Sequence, residues 1–267
     1  MISAAAGNLT IKQFRQWSKT KDILHFVTTR SGGVSKGSFS SLNFGSSQGD
    51  DIENVETNFS ILAGSLNLPR EMIILTTQVH GNNIVSIPSV EAAHRLVSTP
   101  CLADGLITAV PGICIAVKCA DCTAVLFYDP ARRIIAVAHA GWRGTTLKIA
   151  AHTIRRMVQE FGCSPADIMA GIGPSIGPEN FEVGKEVTQQ FTATFPDQYK
   201  KIIRIAGNKQ YINLWEANRL QLITEGVLPH NIECAGICTV SHHSEFFSHR
   251  ASGGITGRFM AGIMLKE

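Results

Sequence analysis

Cys119–Thr145 reads CADCTAVLFYDPARRIIAVAHAGWRGT and concentrates most of the side chains able to do chemistry. Two apolar runs of β type, Thr123 to Tyr128 and Ile134 to Ala138, flank Asp129-Pro130-Ala131-Arg132-Arg133, the pattern of a β-hairpin with a five-residue loop. In an antiparallel pair the start of one strand lies beside the end of the other. Cys122 enters the hairpin and His139 leaves it, so the two are expected to meet at its open end. Gly141 and Gly144 follow within Ala140–Thr145 and let the main chain come close to a ligand. A helix is expected over 145–161, with Ile154, Met157, Val158 and Phe161 on its buried face and Gly162 ending it.

Upstream of this stretch, residues 23–29 predict a buried strand that delivers Arg30 into the glycine-rich loop Ser31–Gly37. Backbone N–H groups beside a guanidinium can hold an anion, although a solvated surface loop is the plainer reading. Asp50 or Asp51 caps a helix to about Asn67, with Val55, Phe59, Leu62 and Leu66 on one face. Residues 72–77 and 84–87 predict strands on either side of the polar turn Gln78–Asn83, which carries His80. Asp104 precedes the apolar run Leu106-Ile107, either as a simple turn former or as a working carboxylate. Residues 113–118 form a strand leading into the hairpin. Downstream, strands are expected at 168–172, 232–239 and 260–265, helices at 184–194 and 214–225, and a loop at 241–250 with three histidines, an acid and an arginine. Strands outnumber helices and alternate with them, which indicates a mixed-sheet α/β (α+β) fold.

The 267 residues carry no linker, repeat or charge block, so they are read as one domain, 1–267, in which about 1–20 form a variable segment with little signal. With 44% hydrophobic and 17% charged residues the chain has material for a large core. A net charge of +3, with its basic residues scattered, gives no nucleic-acid surface. No apolar run reaches the roughly 18 residues of a membrane span, and the N-terminus lacks a signal-peptide pattern, so no membrane association and a cytoplasmic location are expected. Seven cysteines, an odd number in a long chain, are read as reduced thiols.

Two histidines and a cysteine leave one position open on a catalytic zinc, and His80, Cys122 and His139 fit by residue type. Other readings compete on the residues alone. Cys119 and Cys122 form a CxxC pair, though it lies between strands rather than at a helix start. Cys122 with His139 would also make a metal-free thiol hydrolase. His242 and His243 are further ligand candidates, but neighbouring residues point different ways.

Taken together, TTQVHGNNIV, ADGLIT, CADCTAVLFYDP, VAHAGWRGT, GIGPSIGPENFEVG and SHHSEFFSHRASGGITGRFMAGIML closely resemble the laccase-domain family, whose members have been called polyphenol oxidases, purine nucleoside phosphorylases and peptidoglycan editing factors. The resemblance extends from about His25 to the C-terminus. It implies a single-domain mixed-sheet sandwich with flanking helices and a mononuclear zinc on His80, Cys122 and His139. It also implies phosphorolysis of adenosine, inosine, guanosine and methylthioadenosine, with purine nucleosides and phosphate as partners, and deamination of adenosine. An alternative is an editing hydrolase that removes serine from UDP-muramoyl-serine. A non-enzymatic, zinc-stabilised binding domain is a further possibility.

Multicopper oxidation ranks low. Several copper centres need about ten histidines, largely as His-x-His pairs, whereas this chain has nine histidines and no such pair. Copper as a substitute for zinc on the same three ligands would still give weak oxidase activity. Arg30, Arg143 and Arg258 are the candidate phosphate-binding residues, each in a glycine-containing loop. Asp104 is a candidate for orienting nucleoside or moving a proton, and Cys119 for lining the pocket.

Overall fold

The computed structural model describes residues 1–267 except residue 48. Its centre is the expected hairpin, Thr123–Asp129 against Ile134–Ala140, in antiparallel register with Ala124 opposite His139 and Asp129 opposite Ile134. Around it a six-stranded sheet runs in the order Ile232–Cys234, Met169–Ile172, Thr123–Asp129, Ile134–Ala140, Gly105–Thr108, Ile84–Ile87. A second six-stranded sheet has the order Ile2–Ala6, Leu9–Gln13, Ile23–Thr28, Phe259–Leu265, Cys114–Cys119, Ile73–Ile74. Both mix parallel and antiparallel pairs.

Period-two alternation explains the layering. Ala124, Leu126, Tyr128, Ile135 and Val137 of the hairpin meet Ile115, Val117, Phe259, Ala261 and Ile263 of the other sheet in a core between the two. The intervening positions face outward but stay buried under helices. Val125, Phe127, Ala136 and Ala138 pack with Ile149, Ile154 and Met157 of the helix Ile149–Phe161 and Leu222 of the helix Leu214–Thr224. Cys114, Ala116 and Met260 pack with Val55, Phe59 and Leu62 of the helix Ile52–Leu66. Both faces of each central strand are therefore apolar, which is why CIAVKC, TAVLFY and IIAVA read as nearly unbroken hydrophobic runs. The fold is a mixed α/β sandwich of two sheets with helices on both outer faces.

Several expectations are corrected. The helix expected over 145–161 is two helices, Trp142–Thr146 and Ile149–Phe161, because Lys148 adopts a left-handed conformation (φ 59°) that breaks the ladder. The strands Ile73–Ile74 and Ile84–Ile87 lie in different sheets, so the turn between them crosses from one sheet to the other. The strand expected at 232–239 ends at Cys234. A helix at Val90–Ser98, capped by the Ser89 hydroxyl, and a small sheet of Glu182–Val183, Lys209–Ile212 and Ile203–Ala206 were not anticipated. The first residues are also structured: Ile2–Ala6 and Leu9–Gln13 extend the second sheet around Gly7 (φ 53°), and Phe14 and Trp17 are buried. Among the described residues no helix is long and apolar enough to cross a membrane.

Phe14 and Trp17 enclose His25, with ring centroids 5.9 and 5.2 Å away. The Phe14 N–H donates to His25 Nε2 at 2.9 Å, so that nitrogen has no room for a proton. Burial lowers the His25 pKa from 6.5 to about 4. Between those values the unfolded chain binds the proton and the folded chain does not, so stability falls as pH drops from about 6.5 to about 4, by on the order of 3 kcal/mol. Denaturant midpoints across that range should show the slope, and His25→Gln should flatten it.

Candidate metal centre and cavity

His80 sits on the crossover between the two sheets, and two side chains pin that crossover from opposite sides. Gln78 clasps the second sheet through both main-chain groups of Lys118: its Nε2 donates to the Lys118 carbonyl at 2.9 Å, and its Oε1 accepts the Lys118 N–H at 2.8 Å. Asp104, just ahead of the strand Gly105–Thr108, accepts the N–H groups of Val79, His80 and Gly81 at 3.1, 3.0 and 2.7 Å. Three consecutive N–H groups converge on one carboxylate because His80 takes a left-handed conformation (φ 60°).

The same carboxylate lies 2.8 Å from His139 Nδ1. Burial would raise the Asp104 pKa, but the His139 ring and the Gly81 and Val79 N–H groups outweigh it and hold the carboxyl below its ordinary range. An ionised Asp104 accepts, so His139 donates from Nδ1; burial alone would lower the His139 pKa, but Cys122 and Asp104 beside it raise it to about 9, and a metal ion taking Nε2 would displace a proton there. One buried acid thus sets the loop that carries His80 and the orientation of the His139 ring.

Cys122 and His139 meet at the open end of the hairpin, as the antiparallel pairing requires. His80 joins them, its ring centroid 5.0 Å from that of His139, and the ligating atoms of all three lie within 4.8 Å of one another. His80 is exposed, Cys122 half-buried and His139 buried, so the cluster opens to one side only. Burial pushes the Cys122 thiol up, and the two imidazoles beside it more than reverse this, leaving it below the ordinary thiol range. A thiol whose proton is easily lost and two imidazoles that can approach one point make a donor set suited to a single borderline-soft metal ion, which would take the place of the proton shared there and leave room for a further ligand.

Gly141 makes the approach possible. A Cβ there would stand 2.8 Å from Cys122 Sγ, so Gly141→Ala should displace the thiol while leaving the hairpin intact. Metal affinity is expected to fall by about 10–100-fold, the range seen for disturbed ligand support; a competitive chelator titration measures it.

The three side chains border a cavity of about 860 Å³. Trp142, Ile176, Phe181, Phe44 and Phe59 are among the apolar side chains of its wall. Arg70, Lys118, Arg250 and Arg258 bring positive charge.

Of the anticipated substrate-binding residues, the structure places only Arg258 in the lining. Arg30 is part of the framework, donating to the Ser40 and His243 carbonyls and stacking 4.6 Å from Phe247. Arg143 is exposed and lies over the ring of its neighbour Trp142, outside the cavity wall. Cys119 shares the parity of Ile115 and Val117, so its thiol is sealed in the core between the sheets, where burial raises its pKa well above the ordinary value. It neither lines the pocket nor forms a redox pair with Cys122. Asp104 is buried behind the ligands and occupied by four donors, which leaves it to position them rather than to exchange protons with a substrate. His242 and His243 are exposed and turned to the Cys238 and Val240 carbonyls.

Arg70, Gln78, Lys118 and Phe181 were missed, and Trp142 and Arg250 were noted only as parts of the HAGWRGT stretch and the 241–250 loop. A lone lysine inside the apolar run CIAVKC was the one available signal among them.

With this geometry in hand, the kinship of the chain is specific. Residues 24–266 match the family described as multi-copper polyphenol oxidoreductase laccase. The purine nucleoside phosphorylase of Bacteroides thetaiotaomicron is 40% identical over 262 residues, 95% of this chain and 96% of that one. Purine nucleoside phosphorylase YfiH of Escherichia coli is 35% identical over 94% of this chain and 97% of its own. The crystal structure of YlmD from Geobacillus stearothermophilus superposes with a TM-score of 0.90 at 34% identity, covering 96% of this chain and 99% of that one. The chain belongs to the multi-copper polyphenol oxidoreductase laccase family, the laccase-domain family that its motifs resemble.

Proposed function

We propose that the protein is a zinc-dependent purine nucleoside enzyme that cleaves adenosine, inosine, guanosine and methylthioadenosine with phosphate and deaminates adenosine. The observation that carries this reading is the His80, Cys122, His139 cluster, open on one side to an 860 Å³ cavity with aromatic and cationic walls. The names of the relatives from Bacteroides and Escherichia support the substrate class.

Zinc held by these three side chains would act as a Lewis acid and lower the pKa of a bound water. The remaining work falls to the chain. Aromatic walls give a purine flat apolar surfaces. In phosphorolysis the bond from the ribose anomeric carbon to the base nitrogen breaks as a bond to a phosphate oxygen forms, and the departing base takes up a proton. Arginines and lysine in the wall counter the charge of the incoming phosphate. In deamination water replaces the exocyclic amine, which leaves as ammonia.

The test is incubation of the metal-loaded protein with adenosine, with and without phosphate. Adenine and ribose 1-phosphate should form only with phosphate, and inosine should form in either case. Inert adenosine together with release of serine from UDP-muramoyl-serine would replace this reading with precursor editing.

A further inference from the structure

We infer that Lys118, flanked by Arg70 and Arg258, forms a subsite for a phosphoryl group within the cavity. Only the identification of that group with a co-substrate rests on the nucleoside reading above.

Alternation along Cys114–Cys119 puts Lys118 on the same side as Cys114 and Ala116, the side covered by the helix Ile52–Leu66. The layer opens at position 118, where the side chain enters the cavity wall. Its backbone is fixed by the double clasp from Gln78. Among the described residues its ammonium makes neither a hydrogen bond nor an ion pair. Burial lowers its pKa, and the neighbouring Arg258 and Arg70 lower it further. A half-buried ammonium beside two guanidinium groups gathers like charge at one place in the wall. An anion relieves it.

The two acids of the wall, Glu56 and Asp121, offset this only in part, although Glu56 does raise the Lys118 pKa. Glu56 reaches Arg70 at 3.5 Å. Asp121 accepts the Thr239 hydroxyl at 2.6 Å and the Arg250 N–H at 2.7 Å. Arg70 is itself held flat, 3.8 Å from the Phe59 ring, and its Nε is buried without a partner. Arg258 is oriented by donating to the Thr256 and Gly257 carbonyls. Three cations line one cavity against Glu56, which pairs with Arg70, and Asp121, which is taken up by Thr239 and Arg250; the positive charge left over suits an anion, and a tetrahedral phosphoryl group has the oxygens to meet all three. Such a group is available as inorganic phosphate or as the 5′-phosphate of a nucleotide.

The experiment titrates the metal-loaded, full-length protein with inorganic phosphate and separately with adenosine monophosphate by calorimetry. Wild type, Lys118→Met, Lys118→Gln, Lys118→Arg and the surface control Lys200→Met are compared, with thermal melting and metal content confirming that each is folded and loaded. Lys118→Met and Lys118→Gln should weaken phosphoryl binding by about tenfold or more, Lys118→Arg should retain most of it, and Lys200→Met should match wild type. Weakening toward phosphate identifies the co-substrate; weakening confined to the nucleotide identifies its 5′-phosphate. Unchanged affinity for both ligands in the folded methionine and glutamine variants overturns the subsite. Phosphate bound through Lys118 by a protein that leaves adenosine intact would sink the nucleoside reading and keep the subsite, whereas normal phosphorolysis with an unaltered phosphate KM in Lys118→Met would do the reverse.

Discussion

Cys122→Ala is expected to leave a folded protein that retains little metal and turns over nucleosides on the order of 10³-fold more slowly, because a Lewis acid supplies several kcal/mol at the transition state. The thiol is half-buried at the open end of the hairpin, outside the apolar cores. Its removal therefore deletes a ligand without opening a void between the sheets. His80→Ala should behave alike, since His80 is exposed and its loop is tied down by main-chain N–H groups rather than by its ring. Metal analysis, thermal melting and nucleoside assays on the same preparations check this. Chelation of the wild type should likewise abolish activity with the fold retained; a protein that melts when its metal is stripped would instead be one that the ion holds together.

Asp104→Asn should have the largest effect on stability. The carboxylate accepts from Val79, His80, Gly81 and His139 at once, in a fully buried position. An amide supplies one acceptor oxygen and turns an NH₂ group toward the remaining donors, so at least one buried N–H faces another. The cost is about 3 kcal/mol, the scale for breaking a buried charge-assisted network, or a fall in Tm of roughly 5–10 °C for a chain of this size. Metal affinity should drop by a further 10–100-fold, since both the His80 loop and the His139 ring lose their support. Asp104→Asn with wild-type melting and wild-type metal affinity would contradict the positioning role.

What could be read from the chain divides along the range of the interactions. The hairpin and the meeting of Cys122 with His139 were legible because the turn and the two apolar runs are local, and strand pairing alone converts distance along the chain into proximity. Capped helices were legible for the same reason: the Asp51 carboxylate accepts the Glu53 N–H and Asn213 accepts the Glu216 N–H, each within one turn. Parity within the strands was also present but unused. It sends Lys118 into the cavity wall and Cys119 into the inter-sheet core, away from the pocket-lining role expected of that cysteine.

The rest depends on contacts across long separations. Nothing local shows that residues 73–74 and 84–87 diverge into separate sheets and suspend His80 between them. The break at Lys148 needs a left-handed lysine, a conformation no residue preference predicts. Arg30 and Arg143 looked equivalent to Arg258, because glycine-containing loops surround all three. Only the carbonyls of Ser40, ten residues on, and of His243, across the fold, show where the Arg30 guanidinium is held.

The most direct test combines metal quantification with X-ray absorption on the purified protein, followed by adenosine turnover on the same sample. About one zinc per chain, bound by two imidazole nitrogens, one sulfur and one exchangeable light atom, with phosphate-dependent release of adenine, is the predicted result. An ion ligated by four protein groups, or full turnover in a preparation free of metal, would contradict it.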